Sequence, residues 1–199
     1  MKPYLLTVVI WLTHFTSIAQ RTCSTEEYVK DYFVLKNTTS NFLNRVPPRD
    51  TVPNEIITIP VVVHVLFKTA GQNISNDQVQ SQIDALNKDF RMLNADQSLI
   101  PEAFQSFSSD SKIMFCLAKV DPNGHSTSGV NRKYTNNDFF KADDGMKSTA
   151  KGGVDAWDTE RYLNIWVCRI FGRVLGYATP PGGDPTKDGV VINFDVFGT

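Results

Sequence analysis

Three histidines, three cysteines and 21 acidic side chains are the groups from which this 199-residue chain could build a reactive centre. Hydrolysis on zinc needs about three His, Cys or carboxylate ligands converging on the ion, with one position left open for water. His14 sits in an apolar leader, which leaves His64 and His125. His64 interrupts the apolar run "IPVVVHVLF", where a hydrogen-bonded core histidine is the expectation. His125 follows a turn and is expected in solvent. Histidines so few and so placed do not make a zinc site. No H-E-x-x-H helix, G-x-S-x-G elbow, Walker loop or Rossmann glycine pattern occurs. "DPNGHSTSG" offers oxygen ligands for calcium but lacks EF-hand spacing, so it reads as a turn. Asp143, Asp144, Asp155 and Asp158 are candidates for a carboxylate cluster, although solvated loop charges are commoner. Asn37 and Asn73 begin N-x-S/T sequons, meaningful in a host that glycosylates.

The cysteines are odd in number, so one thiol at least stays unpaired within the monomer. Cys116 in "IMFCLAKV" and Cys168 in "LNIWVC" read as buried small hydrophobes, with a bridge between them as the alternative. Cys23, in "AQRTCSTEEY", has no apolar surroundings to explain it. The preceding "QRT" lacks the small apolar residues of a lipoprotein signal.

Composition places these groups in an ordinary globular protein: 41% of residues are hydrophobic, 21% are charged, and the formal net charge is −1. No run of one sign favours nucleic acid or an anionic membrane. Residues 1–19 read as a secretory signal, with Lys2 ahead of "YLLTVVIWLTHFTSIA" and Ser17 and Ala19 at the small-residue positions before Gln20. The competing reading, a membrane anchor, is disfavoured by three threonines and His14 within a run shorter than the roughly 20 residues a span requires. No later run is long and apolar enough for a bilayer, so no membrane association is expected after cleavage.

Residues 20–56 read as a pro-segment and linker. Ser24 and Glu27 form a capping box for a short helix, and "NFLNRVPPRDTVPNEIITI" has three prolines and two arginines, Arg45 and Arg49, as processing candidates. "ITIPVVVHVLF" then has the unbroken β-branched character of a strand covered on both faces, with Pro60 near its start. A helix follows, with Ser75 as N-cap, Gln78 completing the box and Ile74 with Val79 as hydrophobic staple. Val79, Ile83, Leu86 and Phe90 form its apolar stripe. "SKIMFCLAKV", "YLNIWVCRI", "VLGYA" and "VVINFDVF" read as further strands, whereas His125 to Gly153 reads as a looser region. The pattern predicts a mixed α/β sheet with a mostly parallel centre, and one face without an obvious cover.

Taken together and in order, "IPVVVHVLF", "QSQIDALNKDFRMLNAD", "FCLAKVDPNG", "GGVDAWDTERYLNIWVC", "LGYATPPGG" and "DGVVINFDVFGT" resemble the pappalysin/cytophagalysin family of secreted zinc metallopeptidases, in the metzincin clan. The similarity runs from about residue 57 to the last, and "RTCSTEEY" is similar to the family's pro-segment, with Ser24 where glycine is usual. The resemblance implies a metzincin-like mixed five-stranded sheet with helices, ending ahead of the active-site helix, so that 57–199 would be the N-terminal subdomain of an incomplete catalytic domain. It implies a protein or peptide substrate, held by strand addition along Leu175, Gly176, Tyr177 and Ala178 through backbone groups of Gly176 to Ala178. It implies zinc as cofactor of the full-length protein, with Cys23 as its ligand in a latent state and Arg21 favouring the thiolate. The family's H-E-x-x-H-x-x-G-x-x-H, which supplies zinc ligands and general base, is absent from these 199 residues. The chain alone is therefore expected to be inactive, its role being either part of a metalloendopeptidase or a secreted, non-catalytic peptide-binding module of the same fold.

Overall fold

The computed structural model describes residues 55–199. Its organising element is β1 (Ile57–Phe67), in which Val61 to Leu66 are out of contact with solvent. β2 (Ile113–Leu117) pairs parallel with the first half of β1, and β3 (Val130–Tyr134) pairs parallel with the second. β4 (Leu163–Cys168) takes the other edge, overlapping β3 in register against β1, so β2 and β3 share one side. β6 (Val190–Asn193) continues the parallel order, and β5 (Gly176–Ala178) closes it antiparallel at the edge. The sheet has six strands in five ranks, the outer rank being split between β2 and β3.

The strand β3 lies inside the stretch expected to be loose. Its sequence "VNRKY" carries no apolar alternation, and two of its side chains bond to segments outside the sheet. Arg132 donates to Asn73 Oδ1, the Ile74 carbonyl and Asn76 Oδ1, each at 2.6 Å, and Lys133 donates to the Gly153 carbonyl.

Helix α1 (Asn76–Phe90) starts where its cap predicts: Ser75 Oγ accepts the Gln78 N–H at 3.0 Å. The capping box is not completed. The Gln78 side chain donates to the Phe197 carbonyl at 2.8 Å, tying the helix start to a segment 119 residues away. Ile74, Val79 and Ile83 are buried against Val61, Val63, Val65, Phe115, Ile165 and Val167, each contributing about 1.5–3 kcal/mol if fully buried. Phe90 ends the stripe half in water, edge-on to Phe115 at 4.9 Å. Asn87 accepts the Phe115 N–H at 2.7 Å and donates to its carbonyl at 2.9 Å, so one side chain satisfies β2 along its outer edge. A short helix, α2 (Glu102–Gln105), lies in the connection to β2. No helix among the described residues is long and apolar enough to cross a membrane.

The opposite face is covered as well, contrary to the expectation from sequence. Phe140 and Met146 are buried there against Leu66, Trp166, Cys168, Tyr177 and Val191, with Ala142, Val154 and Ala156 half-buried beside them. A segment without an α-helix can do this because its backbone is bonded to the sheet: Trp166 Nε1 donates to the Val154 carbonyl at 2.8 Å, and Asn164 exchanges hydrogen bonds with the Trp157 backbone at 2.8 and 3.0 Å.

Cys168 is buried as expected, and burial pushes its thiol far up. Cys116 is exposed, and both thiols are free. They cannot bridge because β2 and β4 lie on opposite sides of β1. Cys116 is also on the face away from α1, since its neighbours Phe115 and Leu117 pack toward the helix.

His64 is the core histidine anticipated from its run. Its Nε2 donates to Asn164 Oδ1 at 3.0 Å, its Nδ1 accepts from Asn131 Nδ2 at 3.2 Å, and its ring stacks on Trp166 at 5.3 Å. Burial lowers its pKa from 6.5 to about 4, the Asn164 bond opposing the shift. Because the folded pKa lies below the unfolded one, the unfolded chain binds the extra proton between those values. Stability from this group is complete above about pH 6.5 and is lost as pH falls toward 4. We expect the loss to reach about 3 kcal/mol, and His64→Gln to flatten that part of the profile in urea titrations from pH 7.5 to 4. An unchanged slope would assign the acid loss to carboxylates alone.

Candidate functional site

No set of three His, Cys, Asp or Glu side chains able to hold a metal occurs among the described residues. Both nitrogens of His64 are engaged with asparagines, and His125 is 78% exposed beside Asp121 at 3.4 Å. The candidate carboxylates serve separate turns. Asp143 accepts the Gly145 N–H, Asp158 accepts the Glu160 N–H, and Asp155 accepts the Thr149 N–H, which lowers its pKa. Asp121 likewise closes the "DPNG" turn by accepting the Asn123 and His125 N–H groups, with Gly124 at φ +87°. The described residues offer no set that fits a catalytic zinc, and no step through a metal is built on them. Cys23 lies outside the described residues.

The predicted strand Leu175–Ala178 is the edge strand β5, with Leu175 just before it. Asn193 N–H donates to the Leu175 carbonyl at 2.8 Å and Thr179 N–H to the Gly189 carbonyl at 3.0 Å. Antiparallel pairs alternate between bonded and non-bonded, so 175/193, 177/191 and 179/189 are the bonded ones. The backbone groups of Gly176 and Ala178 consequently point away from β6, whereas those of Tyr177 point toward it. Of the three residues named from sequence, two direct their main chain outward. Gly176 also allows the strand to close, since a Cβ there would stand 2.5 Å from the Val191 carbonyl oxygen.

A strand of three residues, paired among the described residues with β6, needs further support. It comes from below. The Tyr177 ring is buried among Trp166, Met146 and Val191, and its hydroxyl lies 3.0 Å from Met146 Sδ and 3.3 Å from both the N–H and Oδ1 of Asp144. Beside it is the fully buried side chain of Lys147. The ammonium donates to Thr179 Oγ1 at 2.8 Å, the Lys187 carbonyl at 2.9 Å and Asp144 Oδ1 at 3.0 Å. It also lies 5.4 Å from the Trp166 ring centre and 5.3 Å from that of Tyr177. Burial lowers the lysine pKa, and the Asp144 charge opposes that shift. Three acceptors and two ring faces offset the desolvation that an isolated buried ammonium would suffer. Lys147 thus joins the end of β5, the loop returning to β6 and the segment covering the sheet. Sequence reasoning missed it, and nothing in "DDGMKSTA" distinguishes a buried lysine from a solvated one.

Lys147→Met should speed hydrogen exchange at Tyr177 and Thr179 and cost about 3–5 kcal/mol, the range for breaking a buried pair. Lys147→Met with Asp144→Asn should recover much of that loss. Equal exchange in all three proteins, followed by mass spectrometry alongside thermal melting, would mean that the lysine does not hold β5.

No family model and no curated protein matches the chain. Among solved structures it is similar to mirolysin in complex with compound 9, at 47% identity and a TM-score of 0.70, covering 72% of this chain and 55% of that one. It is similar to a point mutant of Tannerella forsythia promirolysin, at 47% identity and a TM-score of 0.71, covering 74% of this chain and 49% of that one. The mature mirolysin of Tannerella forsythia with a cleaved peptide gives 47% and 0.71, covering 73% of this chain and 56% of that one. The chain spans about half the length of these proteins.

Proposed function

This chain is related, over 72–74% of its length, to part of mirolysin, a metallopeptidase of the metzincin type and pappalysin-like class, and on that premise we propose that it supplies the peptide-holding N-terminal subdomain of a secreted zinc metalloendopeptidase. In this reading residues 1–19 direct export, 20–56 form a pro-segment whose Cys23 thiolate ligates zinc in the latent protein, and 57–199 build the sheet beside which a substrate lies. The observation that carries the reading is β5, an antiparallel edge strand that turns the backbone of Gly176 and Ala178 outward. Such an edge accepts an extended peptide by strand addition, whatever its side chains. One of the similar mirolysin structures holds a cleaved peptide, which accords with a peptide occupant here. The sequence contains no H-E-x-x-H-x-x-G-x-x-H, and no group of three His, Cys, Asp or Glu among the described residues could hold a metal.

Two outcomes test the reading on the 199-residue chain. An extended peptide should slow hydrogen exchange at Ala178, and added zinc should produce no peptide cleavage. Protection elsewhere on the sheet would remove β5 from the site, and chelator-sensitive proteolysis by the purified chain would show that it carries its own catalytic machinery. In a protein that also contains the zinc-binding residues, Cys23→Ala should shorten latency. Activation at the unaltered rate would make Cys23 an ordinary surface thiol.

A further inference from the structure

Beyond the end of β4, two short segments pair in parallel: Phe140 N–H donates to the Arg169 carbonyl at 2.9 Å, and Phe171 N–H to the Phe140 carbonyl at 2.8 Å. Phe140 and Ile170 are the inward residues of this pair, 5% and 3% exposed. Side chains alternate along extended backbone, so Phe139 and Lys141 on one segment and Arg169 and Phe171 on the other face water. The two outward rings are 39% and 59% exposed, and they lie against each other with centres 4.7 Å apart. Arg173, two residues on, is exposed too.

Apart from Asp138, which is taken up by Lys68, the charged residues next to this ring pair in the chain are basic. Among the described residues, the side chains of Lys141, Arg169 and Arg173 make no hydrogen bond or ion pair. The carboxylate close enough to feel Arg169, Asp138, is held by Lys68 at 2.6 Å. In a chain whose net charge is −1, three such cations beside two exposed rings are a local feature and not an overflow of basic composition. The patch is also continuous with the peptide edge. Arg173, in a turn, precedes Leu175 by two residues, and Leu175 leads directly into β5.

We propose that Lys141, Arg169 and Arg173, with the Phe139–Phe171 pair, receive acidic side chains of a bound peptide, on the C-terminal side of the segment held by β5. This rests on the strand-addition reading for its geometry. Antiparallel pairing, the more stable arrangement, runs the peptide toward its own C-terminus as it passes from Ala178 to Leu175 and on to Arg173. The rings offer contact to an apolar residue placed among the acidic ones. The occupant is an acidic peptide and not a nucleic acid or a lipid surface. Three cations on an otherwise balanced chain supply little of the phosphate neutralisation that nucleic-acid affinity needs, and stable membrane anchoring requires more than one such signal.

The test uses the full 199-residue chain and fluorescein-labelled peptides that share one extended neutral segment. One carries Asp-Glu-Asp after the segment, a second carries it before, a third carries Ser-Gly-Ser after it, and a fourth is Asp-Glu-Asp alone. The acidic C-terminal tail should improve affinity about tenfold over the Ser-Gly-Ser tail at low salt, as expected of three exposed charge pairs, and the gain should fade as added salt shortens the screening length. Arg169→Glu with Arg173→Glu should abolish the gain and leave the Ser-Gly-Ser peptide unaffected, whereas Arg169→Lys with Arg173→Lys should keep most of it. Equal affinity for the tailed peptides, an equal gain from the N-terminal tail, a gain that survives charge reversal, or preferential binding of a single-stranded oligonucleotide or an anionic vesicle overturns the inference. Failure of strand addition has its own signature, no exchange protection at Ala178 by any peptide. In that event, charge-reversal-sensitive binding of the short acidic peptide still upholds the patch, and its absence overturns it.

Discussion

A stretch of strand that meets water on no side must have each of its polar groups answered from within the protein, and Val61 to Leu66 of β1 is such a stretch. Both edges of β1 are paired from Val61 to Val65, and Val61 to Leu66 are closed off on both faces. One polar side chain, His64, sits among them. Its nitrogens are answered by Asn131 of β3 and Asn164 of β4, one on either edge. Asn164 in turn holds the Trp157 backbone, which brings the irregular segment down onto the sheet. An unpartnered buried polar group costs about 1–3 kcal/mol, so satisfying one histidine recruits two strands and their cover into a single arrangement.

The two faces are covered by different physics. On one, α1 presents a stripe with helical spacing and needs little beyond a cap and the two bonds from Asn87. On the other, residues 140–157 have no repeating pattern, and their placement depends on particular bonds from Trp166, Asn164, Lys133 and Lys147. Such a cover can hold a buried ammonium that a regular helix face would exclude. Lys147 beneath β5 is the consequence: the sheet edge with the fewest ladder bonds of its own is fixed by charge and ring contacts instead.

What could be read in the sequence divides along the same line. β1 and α1 were legible to their ends, because their signals, β-branched runs and the Ser75 cap, are local. β3 was not, since Arg132 and Lys133 are polar residues whose partners are 20 to 59 residues away. Gln78 has the spacing of a capping box, yet Phe197 competes successfully for its amide, a partner no local rule contains. Cys116 lies in an apolar run, yet its side faces away from the helix that buries its neighbours. The strand now seen at the sheet edge was suggested by "VLGYA", but its candidacy as a substrate wall came from the family resemblance. A three-residue strand has too short a pattern to announce a role.

The composition of that strand limits what it can do. Gly176 presents no side chain and Ala178 a methyl group, both on the α1 side of the sheet, while the Tyr177 ring is consumed by packing against Trp166 and Met146. Larger residues at 176 are excluded by the Val191 carbonyl, so the close fit of β5 to β6 and the absence of a side chain for reading sequence have one cause. Main-chain pairing can hold a peptide in line but cannot distinguish one sequence from another. Discrimination at this edge therefore has to come from groups beyond its ends. On the N-terminal side, the first such groups along the chain are Arg173, Phe171 and Arg169, which are exposed. In the proposed reading, a strand stripped of side chains for tight closure would supply alignment, and the charged aromatic patch immediately ahead of it a means of choosing.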